Sequence, residues 1–140
     1  DRQAKLIAVH DGARPLVSQA LIEKMVDAAE KYQAAIPLLQ IRETVKTVKN
    51  GRVDKTLDRS GLYTAQTPQV FDADLLKAAL QNALEQGANV TDDAQAAEQI
   101  GLKPAYVEGE RHNIKITGPE DLLIAAALLG GMRDADRTGL

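Results

Sequence analysis

The amino-acid sequence predicts an α/β fold with a mainly parallel sheet flanked by helices. Two observations carry that reading. Short apolar runs such as "LIAVH" and "AAIPLLQ" alternate with amphipathic stretches of helical period. Each of those stretches opens at a residue suited to start a helix, and several close at glycine. A third observation sets the kind of core. The chain is 44% hydrophobic but has one Phe, three Tyr and no Trp, so its core must be built from Ala, Leu, Ile and Val. For 140 residues the expectation is a single domain over 1–140.

Residues 5–10 read as the first strand. Ser18 caps a helix to about Tyr32, with Leu21, Ile22, Met25, Val26 and Ala29 on its apolar stripe. "AAIPLLQ" is a second buried strand. From Ile41 to Asp58 the residues are strand-forming but show no apolar face. That segment reads as a β-hairpin turning at Asn50-Gly51. A two-residue loop would oppose Lys46 to Lys55 and Glu43 to Asp58, and like charges directly across a ladder are unfavourable. The predicted register therefore has a three-residue loop, Lys49-Asn50-Gly51. It pairs Arg42 with Asp58, Thr44 with Thr56 and Lys46 with Asp54. So thin a hairpin needs a surface to lie against, and a second subunit is the economical one.

Asp72 caps the helix "ADLLKAALQNALEQ", with Leu76, Ala79, Leu80, Ala83 and Leu84 inward and Gly87 as its terminator. Thr91 caps a shorter helix ending at Gly101. "KPAYVEG" and "HNIKIT" read as late strands. Pro119 opens a last helix that stops at Gly130-Gly131 and leaves a polar, frayed tail.

Composition narrows the function classes. The net charge is −3, which gives no electrostatic reason to expect nucleic acid or an anionic membrane as a partner. There is no cysteine, so disulfides and thiolate metal sites are excluded. No apolar run approaches the ~20 residues of a membrane helix. "DRQAK" resembles neither a signal nor a transit peptide and carries no Met. The expectation is a chain that begins mid-protein. GxSxG, GxGxxG and the Walker loop are all missing from the 140 residues.

Four segments can carry chemistry. In open α/β sheets ligands bind at the carboxyl ends of strands, and Asp11 stands at such an end. Its carboxylate suits a hard cation such as Mg²⁺ held against a phosphate. Gly12 permits close approach to the backbone, and Arg14 can fork onto phosphate. Taken alone, the same residues are more simply a turn. In "HNIKITGPEDL", Lys115 points away from Ile114 and Ile116 and could add a cation near the helix start at Pro119. A solvated lysine is the plainer reading. His112 reads as a strand-entry residue. In "LDRSGLYTAQTPQVF", Arg59 sits at the hairpin base, and Thr67-Pro68-Gln69 is extended. In "NVTDDA", Thr91 is most simply a cap, although helix starts also bind phosphate.

Together, "VHDGARP", "ETVK", "LDRSGLYTAQTPQVF", "VTDDA" and "VEGERHNIKITGPEDLLIA" occur in an order that resembles the 2-C-methyl-D-erythritol 4-phosphate cytidylyltransferases. The likeness runs from about Lys5 to Leu129. Two of the motifs are shared with ribitol-phosphate cytidylyltransferases, while "DR-x-GL" and "TDDA" favour the methylerythritol family. The resemblance implies a Rossmann-like sheet with a β-hairpin arm at about 41–59 that serves a homodimer. It implies CMP transfer from CTP to a sugar-alcohol phosphate in isoprenoid-precursor biosynthesis, in a bacterial cytoplasm or a plastid. Asp11 resembles the aspartate that binds Mg²⁺ and, with Gly12, the nucleotide. Arg14 resembles an arginine near the phosphosugar. Thr44 and Arg59 resemble residues that reach the neighbouring subunit's site and hold the substrate phosphate. Thr67 and Thr91 match threonines lining the sugar-phosphate pocket. Lys115 matches a lysine that positions the attacking phosphate. The family also opens with a glycine-rich loop for the CTP triphosphate. Nothing of that kind stands before Lys5, so the expectation is a C-terminal portion with little activity by itself. Ribitol 5-phosphate as substrate, or a non-catalytic dimerisation module, are the alternatives.

Overall fold

The computed structural model describes residues 3–87 and 93–139. Strand β1, Leu6–Val9, leads to Ser18, whose hydroxyl accepts the Leu21 N–H at 3.0 Å. That bond satisfies one of the free donors of helix α1, Gln19–Tyr32. Gln33 then takes a left-handed φ of 70° and turns the chain into β2, Ala34–Gln40. The hairpin is β3, Lys46–Lys49, and β4, Arg52–Thr56. Two short strands follow: β5, Tyr63–Ala65, and β6, Gln69–Asp72. The Asp72 carboxylate accepts the N–H groups of Asp74 and Leu75, both at 3.0 Å, and starts α2, Ala73–Glu85. Then come α3, Asp93–Gln99, β7, Ala105–Glu108, and α4, Pro119–Thr138.

The α/β class holds, and the sheet is mixed. β6 pairs antiparallel with both β1 and β2, β5 antiparallel with β2, and β7 parallel with β2. β1, β2 and β7 therefore share one direction. Ala35 faces Val70 on one edge and Ala105 on the other, and Leu38 likewise faces Ala65 and Glu108. β5 and β6 must then occupy the same edge of β2, as one strand interrupted at Gln66-Thr67-Pro68. The Thr67-Pro68 peptide is cis. The last β1 pair is Val9 with Gln69, so this interruption lies beside the carboxyl end of β1.

Alternation along the strands divides the core. Ala35 and Val70 face α1 and pack on Leu21, Met25 and Ala29. Ala34 and Phe71 face the other way, onto Leu76, Ala79 and Ala83 of α2 and Ala94, Ala96 and Ala97 of α3. Small side chains let the helices approach the sheet closely, as the aromatic-poor composition requires.

Four expectations are corrected. The hairpin closes with the two-residue loop: Lys49 faces Arg52, and Asn50 and Gly51 both have positive φ, 49° and 73°. Asn-Gly satisfies the primed turn that matches strand twist. The register then shifts between Thr47 and Val48, so Lys46 faces Thr56. A bulge, not a longer loop, keeps Lys46 away from Lys55. "HNIKIT" is not a strand. It is extended chain stitched to the 11–14 loop by Ile116 N–H to Ala13 O at 2.8 Å. α4 runs through Gly130-Gly131 to Thr138 and is capped by Gly139, where φ is 67°. Each helical glycine costs only about 1 kcal/mol relative to Ala, and neither adopts a left-handed φ. Finally, Leu80 and Leu84 are 36% and 78% exposed. The sheet-facing stripe of α2 is Leu76, Ala79 and Ala83, which leaves those leucines on its flank. Leu122, Leu123 and Ile124 of α4 are also exposed.

Candidate functional site

The turn after β1 is held by Arg14 N–H to Asp11 O at 3.0 Å. That turn brings two side chains of opposite charge together: Arg14 Nε lies 3.4 Å from Asp11 Oδ2. Lys115 Nζ reaches the same carboxylate oxygen at 3.3 Å. One carboxylate thus sits between two cations drawn from opposite ends of the chain. They border a cavity of about 300 Å³ that is also lined by Val9, Gln66, Thr67, Gln69 and Asp93.

Arg14 is held more firmly than Lys115. Its side chain is 12% exposed, against 49% for Lys115. Nη1 donates to Asn113 O at 2.7 Å, and Nη2 points to Ala65 O at 3.5 Å. With Nε on Asp11, three of its five N–H groups have protein partners and two remain for a ligand. The tilt of Lys115 is that read from the sequence: Ile114 and Ile116 are half-buried while Lys115 is exposed. Thr67 lines the cavity at the strand interruption, where its hydroxyl accepts the Asp11 N–H at 3.0 Å.

Thus Asp11, Arg14, Thr67 and Lys115 converge. Gly12 does not line the cavity, and a Cβ there would meet open space. Thr44 and Arg59 also lie off it. Thr44 is exposed, and Arg59 donates to the Arg42 carbonyl at the hairpin base. Thr91 falls outside the described residues. Sequence reading passes over Gln66, Gln69 and Asn113, and takes Asp93 only as an acidic residue suited to a helix start. The buried Gln66 bonds both ways to the Glu110 backbone: Nε2 to Glu110 O at 2.8 Å, and Glu110 N–H to Oε1 at 3.1 Å. A glutamine flanking a Thr-Pro pair gives no local signal of that. His112 Nε2 lies 3.5 Å from Glu110 Oε2, so it belongs to this loop and not to a strand entry.

These groups match known proteins along most of the chain. The family model for 2-C-methyl-D-erythritol 4-phosphate cytidylyltransferase covers residues 1–131. The chain belongs to that family. It is 46% identical over 127 residues to the enzyme of that name from Syntrophotalea carbinolica, and 42% identical over 128 residues to that from Geobacillus thermodenitrificans. Those matches span 91% of this chain but 54% and 56% of the relatives, so the chain spans about half the length of the curated relatives it matches. The crystal structure of the Thermus thermophilus cytidylyltransferase superposes with a TM-score of 0.84 at 38% identity, over 89% of this chain and 62% of that one. A synthase structure from Anaerococcus prevotii gives 0.83 at 39%, over 93% and 59%.

Proposed function

We propose that this chain supplies the phosphosugar side of a cytidylyltransferase site, transferring CMP from CTP to 2-C-methyl-D-erythritol 4-phosphate. The observation that carries this is Arg14 and Lys115 flanking Asp11 at the mouth of one cavity. A phosphate monoester already carries the attacking oxygen as an anion, so no strong base is needed. That oxygen forms a new bond to the α-phosphorus of CTP, the α–β bridging bond breaks, and pyrophosphate leaves. The difficulty is bringing two anions into line, which cations and fixed donors achieve. Arg14 offers its two free N–H groups to the incoming phosphate. Lys115, more exposed and on a longer leash, follows the phosphate as it moves towards the α-phosphorus.

The donor set fits a magnesium ion completed by substrate phosphates. Among the described residues no group of three or more His, Cys, Asp or Glu could hold a metal unaided. Mg²⁺ characteristically uses one or two carboxylates, phosphate oxygens and water. Asp11 would hold it, with Asp93 on the same cavity, and the bound ion would neutralise charge on the triphosphate. Loading Asp11 in this way would also release Arg14 and Lys115 from it.

Thr44 and Arg59 fit a role in a second copy's site. Val48 and Val53, at the arm's tip, are each 67% exposed, and the two arm strands pack chiefly on one another. A homodimer in which each arm reaches the other copy's cavity accounts for both features. Among the described residues no helix is long and apolar enough to cross a membrane.

The test is pyrophosphate release from CTP by the full-length protein with Mg²⁺. Turnover with methylerythritol phosphate and little with ribitol 5-phosphate is expected; the reverse preference would replace the substrate. Lys115→Ala and Arg59→Ala should each lower kcat by about 10²-fold with unchanged melting temperature. No kinetic effect of either would favour a non-catalytic dimerisation module.

A further inference from the structure

Arg14 and Thr67 stand in a closed ring of hydrogen bonds, two of whose members carry no role in the reaction above. Thr67 Oγ1 lies 2.9 Å from His10 Nδ1. His10 Nε2 lies 2.9 Å from Arg14 O. Arg14 Nη1 donates to Asn113 O at 2.7 Å. Asn113 Nδ2 donates to Thr67 O at 2.9 Å and closes the circuit. The same Nδ2 reaches Gln66 Oε1 at 3.3 Å. Two acceptors around one amide atom fix which end of the Asn113 side chain is nitrogen.

The protons follow from the chemistry of each partner. A backbone carbonyl only accepts, so His10 Nε2 carries the hydrogen facing Arg14 O. In the neutral ring Nδ1 is then the acceptor, and the Thr67 hydroxyl must donate to it. Thr67 Oγ1 also accepts the Asp11 N–H. Its proton is therefore spent inside the protein, and Thr67 acts on a ligand through Arg14 instead of donating to it.

Burial says which member resists loss most. Asn113 is completely buried, and Gln66 is 6% exposed. Gln66 fits only because residue 109 is glycine: a Cβ at Gly109 would stand 2.5 Å from Gln66 Oε1. The ring is thus anchored to the 109–113 loop on one side and to the β1 turn on the other.

We infer that His10 and Asn113 are positioning residues: they close a ring that fixes the Arg14 guanidinium so that its two free N–H groups face an incoming phosphate. The inference rests on reading Arg14 as the phosphate-facing group. A guanidinium already immobilised loses less freedom on binding, so each bond to phosphate contributes more.

The experiment is a titration of inorganic phosphate into isotope-labelled protein at neutral pH, following the backbone amide resonances of residues 11–14, with the Arg14 Nε–H resonance as a second reporter wherever Arg14 is present. Asn113→Ala and His10→Ala should each weaken phosphate binding about tenfold. His10→Gln places an amide N–H near the Nε2 position and should recover most of that loss. In an Arg14→Ala background the further change Asn113→Ala should have no effect on the residual affinity. A purely structural role would lower the melting temperature and leave phosphate affinity unchanged, which would overturn the inference. Additive losses in the Arg14→Ala background would overturn it equally, as would a wild-type protein that binds no phosphate. Should Asn113→Ala fail to fold, the exposed His10→Ala carries the same comparison. Phosphate binding with this pattern but no pyrophosphate release from CTP would reject the proposed reaction and leave the ring's role standing.

Discussion

Asp121 shows how much one side chain can organise at the residue scale. It stands at the third position of α4 and accepts from Thr117 N–H at 2.9 Å, Thr117 Oγ1 at 3.0 Å and Gly118 N–H at 3.1 Å. Hydrogen bonds from the Thr117 backbone and hydroxyl, then from Gly118, hold its carboxyl below the ordinary value of 3.8. A depressed carboxylate stabilises the fold fully above its unfolded value, and that contribution is lost as pH falls through the lower folded value. Protection of the Thr117 and Gly118 amides, taken relative to their intrinsic exchange rates, should therefore hold at neutral pH and be lost only below about pH 4. Asp121→Asn should abolish that acid dependence and leave both amides less protected throughout. This turn closely follows Lys115, so the cap also fixes where the lysine's strand-like segment ends.

The instructive element is "HNIKIT", 112–117, together with the loop from 109 that leads into it. It reads as a strand in the sequence because Ile114 and Ile116 alternate with Lys115, and that alternation is present in the exposure pattern. What it lacks, among the described residues, is a neighbouring strand. Its partners are instead Gln66, Thr67, Ala13 and Arg14. The close fit at Gly109 makes a prediction specific to this element. Gly109→Ala should force the Gln66 amide out of its place and cost on the order of 1–3 kcal/mol, read as a lowered denaturant midpoint. Gly12→Ala should be close to neutral, since a Cβ there meets nothing. Equal effects at the two glycines would contradict the packing described.

For the whole molecule, the hairpin arm is the feature that the described fold does not use. Its β-strands expose both valines to solvent. The expectation is a homodimer by native mass measurement, converted to monomer when residues 44–57 are replaced by a short glycine linker, with the α1–sheet core still folded. A monomeric wild type would remove the dimer from the proposal. Arg59 would then have to act within its own chain, where it bonds the Arg42 carbonyl.

Helix starts, apolar stripes and motif order are legible in the sequence because each depends on residues a few positions apart. Ser18 and Asp72 cap where the sequence places them, β2 spans the whole of "AAIPLLQ", and the motif order alone indicates the family. Asn50-Gly51 likewise announces its turn. Tertiary structure decided the rest. The repulsion between Lys46 and Lys55 is foreseeable, but a bulge and a longer loop relieve it equally well on paper, and the primed Asn-Gly turn selects the bulge. Which flank of α2 lies on the sheet depends on how that helix is rotated against Phe71, and Leu80 and Leu84 have no say in it. Above all, the bond from Arg14 to Asn113 joins residues 99 apart. No local pattern encodes such a contact: it exists because the strand interruption at Thr67 draws the β1 turn and the 109–113 loop to the same place.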